Sequence, residues 1–168
     1  MFPKLIIFDR DNTLIDDQIG YLHQAKDLRW ISGALDLVKT LETFGIKIAV
    51  VTNQAGVAKG FFLEEDIVSF HSEMNNPANA NGGIDLFVYC PHHPQGVVRE
   101  YSIICQCRKP EPGMLIEALE YFQASASDTL LFGNDLTDIQ AGRAIGIESI
   151  LVNVGEIRET VMNRLFAT

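Results

Sequence analysis

Apolar residues fall along this chain in short unbroken runs, separated by stretches in which they recur every three or four positions. Leu5, Ile6, Ile7 and Phe8 stand in a row and end at Asp9. Such a run suits a parallel strand covered on both faces. Residues 47–51 repeat the pattern and end at Thr52 and Asn53, and residues 86–89 end at Cys90. Residues 129–132 end at Gly133, and residues 149–152 form a fifth run. Between them, Ala34, Leu37, Val38 and Leu41 are spaced for one face of a helix over residues 33–44. A second helix is expected from Glu64 to Met74, stopped by Asn75, Asn76 and Pro77. Pro112 stands where a third would begin, with Met114, Leu115, Ala118, Leu119 and Phe122 as its apolar stripe. A short helix to about Ile145 and a last one from Ile157 to Phe166 complete the pattern. The polar, Gly-containing residues 79–83 read as a surface connection, and residues 91–111 as a long irregular loop.

Strand and helix alternate throughout, which predicts an α/β fold: a doubly wound, Rossmann-like parallel sheet with helices on both faces. With no internal repeat, low-complexity segment or linker, the 168 residues are expected to form one domain. In such sheets ligands bind beyond the carboxyl ends of the strands. The residues at those ends are Asp9, Asp11, Thr52, Asn53, Cys90, Asn134 and Asp135. Helix N-termini gather on the same edge and favour anions.

The net charge of −9 argues against a nucleic-acid surface, which needs clustered Lys and Arg. No apolar run is long enough to span a bilayer, and the run after Lys4 is too short for a signal peptide. The expectation is a cytoplasmic protein without a membrane or nucleic-acid partner, with a monomer as the default state. Three cysteines, Cys90, Cys105 and Cys107, do not suggest a disulfide framework.

Asp9-Arg10-Asp11-Asn12-Thr13 follows the first strand directly. One carboxylate can attack phosphorus, and the second can protonate the leaving oxygen and later activate water. The bland alternative is a polar loop of the kind common after strands. If catalytic, the pair would also repel a phosphate dianion. Each like-charge contact at ~4 Å costs about 4 kcal/mol at an effective dielectric of 20. Cations must accompany the carboxylates, with Mg²⁺ and a Lys the natural pair. Cys90-Pro91-His92 and Cys105-Gln106-Cys107 supply three thiols and an imidazole in two tight pairs, the composition of a structural zinc site. His93 is an alternative ligand, and buried free cysteines or a redox pair are the alternatives to metal. The site immediately precedes Arg108 and Lys109, so zinc is expected to position these cations rather than to perform chemistry.

These motifs resemble the haloacid dehalogenase superfamily of phosphatases. Asp9 to Leu14 is similar to its first motif, Val51-Thr52-Asn53 to the second, Arg108-Lys109-Pro110 to the third, and the segment from Gly133 to Asp138 to the fourth. The resemblance implies Asp9 as nucleophile and Mg²⁺ ligand. It implies Asp11 as general acid and base, with its backbone carbonyl on the metal. Thr52 and the Asn53 amide would hold phosphoryl oxygens, and Lys109 would neutralise the transferring group. Asn134 departs from the usual Asp ligand and brings no charge, which predicts weaker Mg²⁺ binding or a ligand role shared with Asp135 or Asp138. Asp135 stands where similar members carry a basic residue. Asn12 stands where Gly is commoner, and Asn tolerates the same positive-φ turn.

The zinc loop, residues 51–60 and residues 20–33 resemble the heptose-bisphosphate branch of that superfamily, with short segments in place of a large cap. That resemblance implies a small phosphorylated sugar as substrate, in the making of activated heptose for lipopolysaccharide or related glycans. It places Arg108, Gln54, Asp17 and Tyr21 at the sugar or its second phosphate. Only Arg108 is supported independently, as a planar donor fork suited to phosphate, and Gln54 reads equally as a satisfied loop residue. The histidinol-phosphate phosphatases are the competing reading. They typically have a shorter zinc loop than the fourteen residues between Cys90 and Cys105. A phosphate-binding module that has lost turnover is the reading from a different class. Trp30, Phe70, Phe122, Met74 and Met114 read as packing residues, and His23 and His71 receive no role.

Overall fold

The computed structural model describes residues 2–76, 80 and 82–166. Five parallel strands, β1 (Leu5–Phe8), β2 (Lys47–Asn53), β3 (Leu86–Cys90), β4 (Thr129–Gly133) and β5 (Glu148–Leu151), form one sheet in the order β3-β2-β1-β4-β5. The central strand β1 is wholly buried, and its four residues pair in register with β2 on one side and β4 on the other. Its unbroken apolar run is what a strand needs when both faces are covered. Edge strand β5 is only half-buried, and it begins one residue earlier than its apolar run suggests.

Helices α1 (Ala34–Thr43), α2 (Glu64–Met74), α3 (Gly113–Phe122), α4 (Leu136–Ala144) and α5 (Ile157–Phe166) cover the sheet. One core cluster unites the stripe of α1 with Ile6, Phe8, Phe70, Met74 and Val161, a second packs Met114, Leu115 and Ala118 of α3 against Leu5, Ile7 and Val51, and a small third joins Val57, Phe62 and Ile67. Phe70, Met74 and Met114 are core residues as expected, and Trp30 and Phe122 pack at its margin. The α2 helix ends at Met74 as its pattern predicts, but Pro77 and much of the 79–83 connection lie outside the described residues.

Reversal of strand order beside β1 opens a crevice at the carboxyl ends of β1, β2 and β4, where two βα turns diverge. The β4–α4 turn is built by side chains. Asp135 caps α4 by accepting from the Thr137 N–H at 2.8 Å, and Asp138 accepts from the Asp135 N–H at 3.1 Å. A Cβ at Gly133 would strike the Asp138 carboxylate, so glycine is what lets Asp138 lie beneath the turn. In the β1 turn, Asn12 adopts φ 60° and its Oδ1 accepts from the Asp17 N–H at 3.0 Å, as the positive-φ argument anticipates.

Candidate active site

A cavity of about 300 Å³ sits on this edge, lined by Asp9, Asp11, Thr52, Asn53, Arg108, Lys109, Asn134, Asp135, Thr137 and Asp138. Lys109 is its buried cation. Its Nζ donates to Asp9 Oδ1 at 2.7 Å and to the Val51 carbonyl at 3.0 Å, and pairs with Asp138 Oδ1 at 2.6 Å. Burial alone would push this lysine down, but the Asp9 and Asp138 carboxylates hold its ammonium above the ordinary value. Burial pushes Asp9 up to about 7 against the pull of Lys109, and Asp138 and Asp11 add to the rise. Lys109 comes from the loop after the zinc cluster. The Asn53 side chain latches it to β2, donating to the Lys109 carbonyl at 3.1 Å and accepting from its N–H at 3.0 Å.

Asn134 faces Asp9 and Asp11 directly. With its amide oxygen inward, that oxygen accepts from Thr13 Oγ1 at 3.2 Å. The same position lies 3.1 Å from Asp9 Oδ2 and 3.1 Å from the Asp11 carbonyl oxygen. Three oxygens so placed repel one another unless a cation lies between them. Oxygens adjacent in a Mg²⁺ octahedron with 2.1 Å bonds stand about 3 Å apart, and the inward Asn134 oxygen stands at that spacing from both Asp9 Oδ2 and the Asp11 carbonyl. With its nitrogen inward, the amide has two protons for three acceptors within reach, Asp9 Oδ2, the Asp11 carbonyl and Thr13 Oγ1. Asp135 caps α4 and Asp138 pairs with Lys109, while both also line the cavity.

The second cluster joins the end of β3 to the loop before Lys109. Ligand atoms of Cys90, His92, Cys105 and Cys107 lie within 4.8 Å of one another. Cys107 Sγ stands 3.3 Å from Cys105 Sγ and 3.3 Å from His92 Nδ1, and Cys90 Sγ stands 3.5 Å from Cys105 Sγ. The cysteines form no disulfide. Burial pushes the Cys90 and Cys107 thiols up. Burial opposes ionisation of Cys105 too, but the Arg108 N–H, 3.4 Å from its sulfur, helps bring that thiol below the ordinary value. Three thiols and an imidazole converging on one point are a zinc donor set without an open position. His93 takes no part: its Nδ1 accepts from the Gln95 N–H at 3.1 Å. Gly113 docks the cluster on α3, since its N–H donates to the Gln106 carbonyl at 2.9 Å and a Cβ there would strike that oxygen.

The arrangement can hold a phosphoryl group between a carboxylate nucleophile, a lysine and a divalent cation. A family model described as HAD-hydrolase-like matches residues 106–166. The chain is 37% identical over 153 residues to the D-glycero-beta-D-manno-heptose-1,7-bisphosphate 7-phosphatase of Escherichia coli K12, covering 90% of this chain and 80% of the relative. The chain belongs to this family of haloacid dehalogenase-like phosphatases. The enzyme of the same name from Yersinia pestis is 38% identical over 154 residues, covering 90% of this chain and 81% of the relative. Among solved structures, the D,D-heptose 1,7-bisphosphate phosphatase of B. bronchiseptica, complexed with magnesium and phosphate, superposes with a TM-score of 0.78 at 29% identity. That match covers 95% of this chain and 86% of the other.

Of the residues singled out for this phosphatase site from sequence, Asp9, Asp11, Thr52, Asn53, Arg108, Lys109 and Asn134 meet in the cavity. Gln54, Asp17 and Tyr21 do not line it. Gln54 is buried and donates to Asp11 Oδ2 at 3.0 Å and Thr52 Oγ1 at 2.8 Å. Tyr21 stacks edge-on against Phe61, and its hydroxyl accepts from Lys59 Nζ at 2.6 Å. Asp17 is partly buried below the first turn, where burial and then Asp11 raise its carboxyl to about 6. Sequence reasoning named Asp138 only as a possible shared Mg²⁺ ligand and missed its pairing with Lys109. It also missed Arg10 and His71, whose contact spans 61 positions and has no local signature.

Proposed function

We propose that this chain removes the 7-phosphate of D-glycero-D-manno-heptose 1,7-bisphosphate. We place it in the bacterial cytoplasm, in the supply of activated heptose for lipopolysaccharide or related glycans. The observation that carries this reading is the meeting of Asp9, Asp11, Lys109 and Asn134 in one cavity, in a chain that aligns over 90% of its length with an enzyme of that name.

In the first step an Asp9 carboxylate oxygen bonds to phosphorus as the ester bond to the sugar oxygen breaks. Asp11 gives its proton to that oxygen, and the sugar 1-phosphate leaves. In the second step Asp11 takes a proton from water, whose oxygen bonds to phosphorus while the Asp9–phosphoryl bond breaks, releasing inorganic phosphate. The Thr52 hydroxyl, the Asn53 amide and Lys109 hold the phosphoryl oxygens in place. Bound Mg²⁺, held by Asp9, the Asp11 carbonyl and Asn134, supplies positive charge at the phosphoryl group and keeps Asp9 ionised. Arg108 offers its guanidinium fork to the second phosphate at the cavity wall. Zinc at Cys90, His92, Cys105 and Cys107 is structural and fixes Arg108 and Lys109. Asp17 and Tyr21 lie outside the cavity lining, and we assign them no phosphate contact.

The test is phosphate release in excess Mg²⁺ from heptose 1,7-bisphosphate and from histidinol phosphate. The expected result is a large kcat/KM preference for the bisphosphate. A preference for histidinol phosphate would overturn the sugar assignment. Absence of turnover on both substrates at every Mg²⁺ concentration would mark a binding module.

A further inference from the structure

We propose that Arg10 and Gln54 are positioning residues for Asp11: together they clamp its carboxylate from beneath the cavity, and His71 keeps Arg10 aimed. The proposal rests on Asp11 being the acid and base of the reaction above.

Arg10 is wholly buried, an expensive place for a guanidinium that is not fully paired. Every contact it makes serves one orientation. Its Nε donates to Asp11 Oδ1 at 2.8 Å and its Nη2 to Asp11 Oδ2 at 3.1 Å, a forked grip on both carboxylate oxygens. The same Nη2 donates to the Leu22 carbonyl at 3.1 Å, and the guanidinium lies 4.9 Å above the Phe70 ring. Its Nη1 stands 3.2 Å from His71 Nε2. Arginine has only donors, so that ring nitrogen is the acceptor and the histidine is neutral, protonated on Nδ1. His71 is fixed in turn by stacking on Phe87, with ring centroids 4.5 Å apart.

Gln54 completes the clamp from the other side. Its Nε2 has two protons, one given to Asp11 Oδ2 and one to Thr52 Oγ1. Accepting from Gln54 leaves the Thr52 hydroxyl proton free to point at a phosphoryl oxygen. One side chain thus sets both the acid–base carboxylate and a phosphate donor. A sugar contact by Gln54 finds no support in this geometry, because the residue is 3% exposed and absent from the cavity wall. The result is a continuous polar path, His71–Arg10–Asp11–Gln54–Thr52, from α2 to the phosphate site.

A misplaced general acid harms substrates whose leaving oxygen needs a proton and spares those whose leaving group departs as a stable anion. That contrast separates positioning from both sugar binding and general structural damage. The experiment measures kcat/KM of wild type, Gln54→Leu, Arg10→Lys and Asp11→Asn on heptose 1,7-bisphosphate, glycerol phosphate and p-nitrophenyl phosphate. Gln54→Leu and Arg10→Lys are expected to lose about tenfold or more on both alkyl phosphates and only about twofold on the nitrophenyl ester. Loss confined to the heptose substrate would make Gln54 a sugar contact, and equal loss on all three would make the pair merely structural; either overturns the proposal. Should Arg10→Lys fail to fold, Gln54→Leu alone decides. Asp11→Asn separates the two levels of the argument. If it keeps alkyl phosphate turnover, the acid–base assignment fails. If it alone shows the selective loss, only the clamp fails.

Discussion

In the function proposed above, Asn134 is the Mg²⁺ ligand that brings no charge. An amide oxygen can ligate Mg²⁺, but a carboxylate brings a full charge, and ligand charge is a main control on affinity for hard cations. The amide offers something in return. Turned over, its two amide protons reach Asp9 Oδ2 and the Asp11 carbonyl, each at 3.1 Å, so the metal-free site gains donors where it would otherwise hold only acceptors. A carboxylate there would face Asp9 and Asp11 without a proton to give. Asn134→Asp is therefore expected to tighten half-saturation by Mg²⁺ on the order of tenfold and to lower the melting temperature of the metal-free protein. Calorimetric Mg²⁺ titration and thermal melts with and without Mg²⁺ check both halves. A variant that binds Mg²⁺ no more tightly, or melts no lower without it, sinks this account. At this scale the sequence was informative where chemistry is local. Asp9, Asp11, Thr52 and Lys109 were readable because each follows an apolar run or a cysteine pair within a few positions. Gln54 was not, because whether an amide faces a ligand or a buried carboxylate depends on how β2 and the first turn pack.

The element that joins the Cys/His cluster to the catalytic cavity is the loop of residues 91–111. Its regular structure among the described residues is one short turn at Arg99–Tyr101. Among its anchors, the Ala58 carbonyl accepts from the Val97 and Val98 N–H groups at 2.7 and 2.9 Å, the Tyr101 hydroxyl donates to Glu64 at 2.7 Å, Asn53 latches Lys109, and the Cys/His cluster closes its ends. Arg108 and Lys109 emerge directly from that closure. Removing the ion leaves crowded thiols with no reason to stay together, and the two cations lose their frame. Cys107→Ser, or treatment with a strong zinc chelator, is expected to lower kcat/KM on the order of 10- to 100-fold. Far-UV circular dichroism stays close to native, because the sheet is built elsewhere. Unchanged turnover in protein shown to be zinc-free would refute the framing role. The elements themselves were largely legible, since five apolar runs and the apolar stripes of α1 and α3 are strong periodic signals. Strand ends were less so: β2 extends through Asn53 and β4 through Gly133, because ladder pairing continues past the last apolar residue.

Across the whole molecule, the buried ionisable groups set how stability answers to pH. His71 titrates well below its ordinary value, chiefly through burial and then through Arg10 beside it. Below about pH 6.5 the unfolded chain takes a proton on this histidine that the folded chain refuses. Unfolding then gains protons, so the contribution of His71 to stability is lost as pH falls, at up to about 1.4 kcal/mol per pH unit. Asp9 and Asp17, raised to about 7 and about 6, act in the opposite sense in the metal-free protein. Folding favours their protonated forms, so their contribution grows as pH falls toward the ordinary carboxylate range. The raw melting profile mixes the two trends, and a variant separates them. His71→Gln keeps an acceptor for Arg10 and removes the titration. Its melting temperature is expected to rise relative to wild type as pH is lowered from 7 to 5 in metal-free buffer. A difference between the two proteins that stays constant over that range would show that His71 does not titrate differently on folding, and would remove the neutral acceptor on which the aim of Arg10 depends.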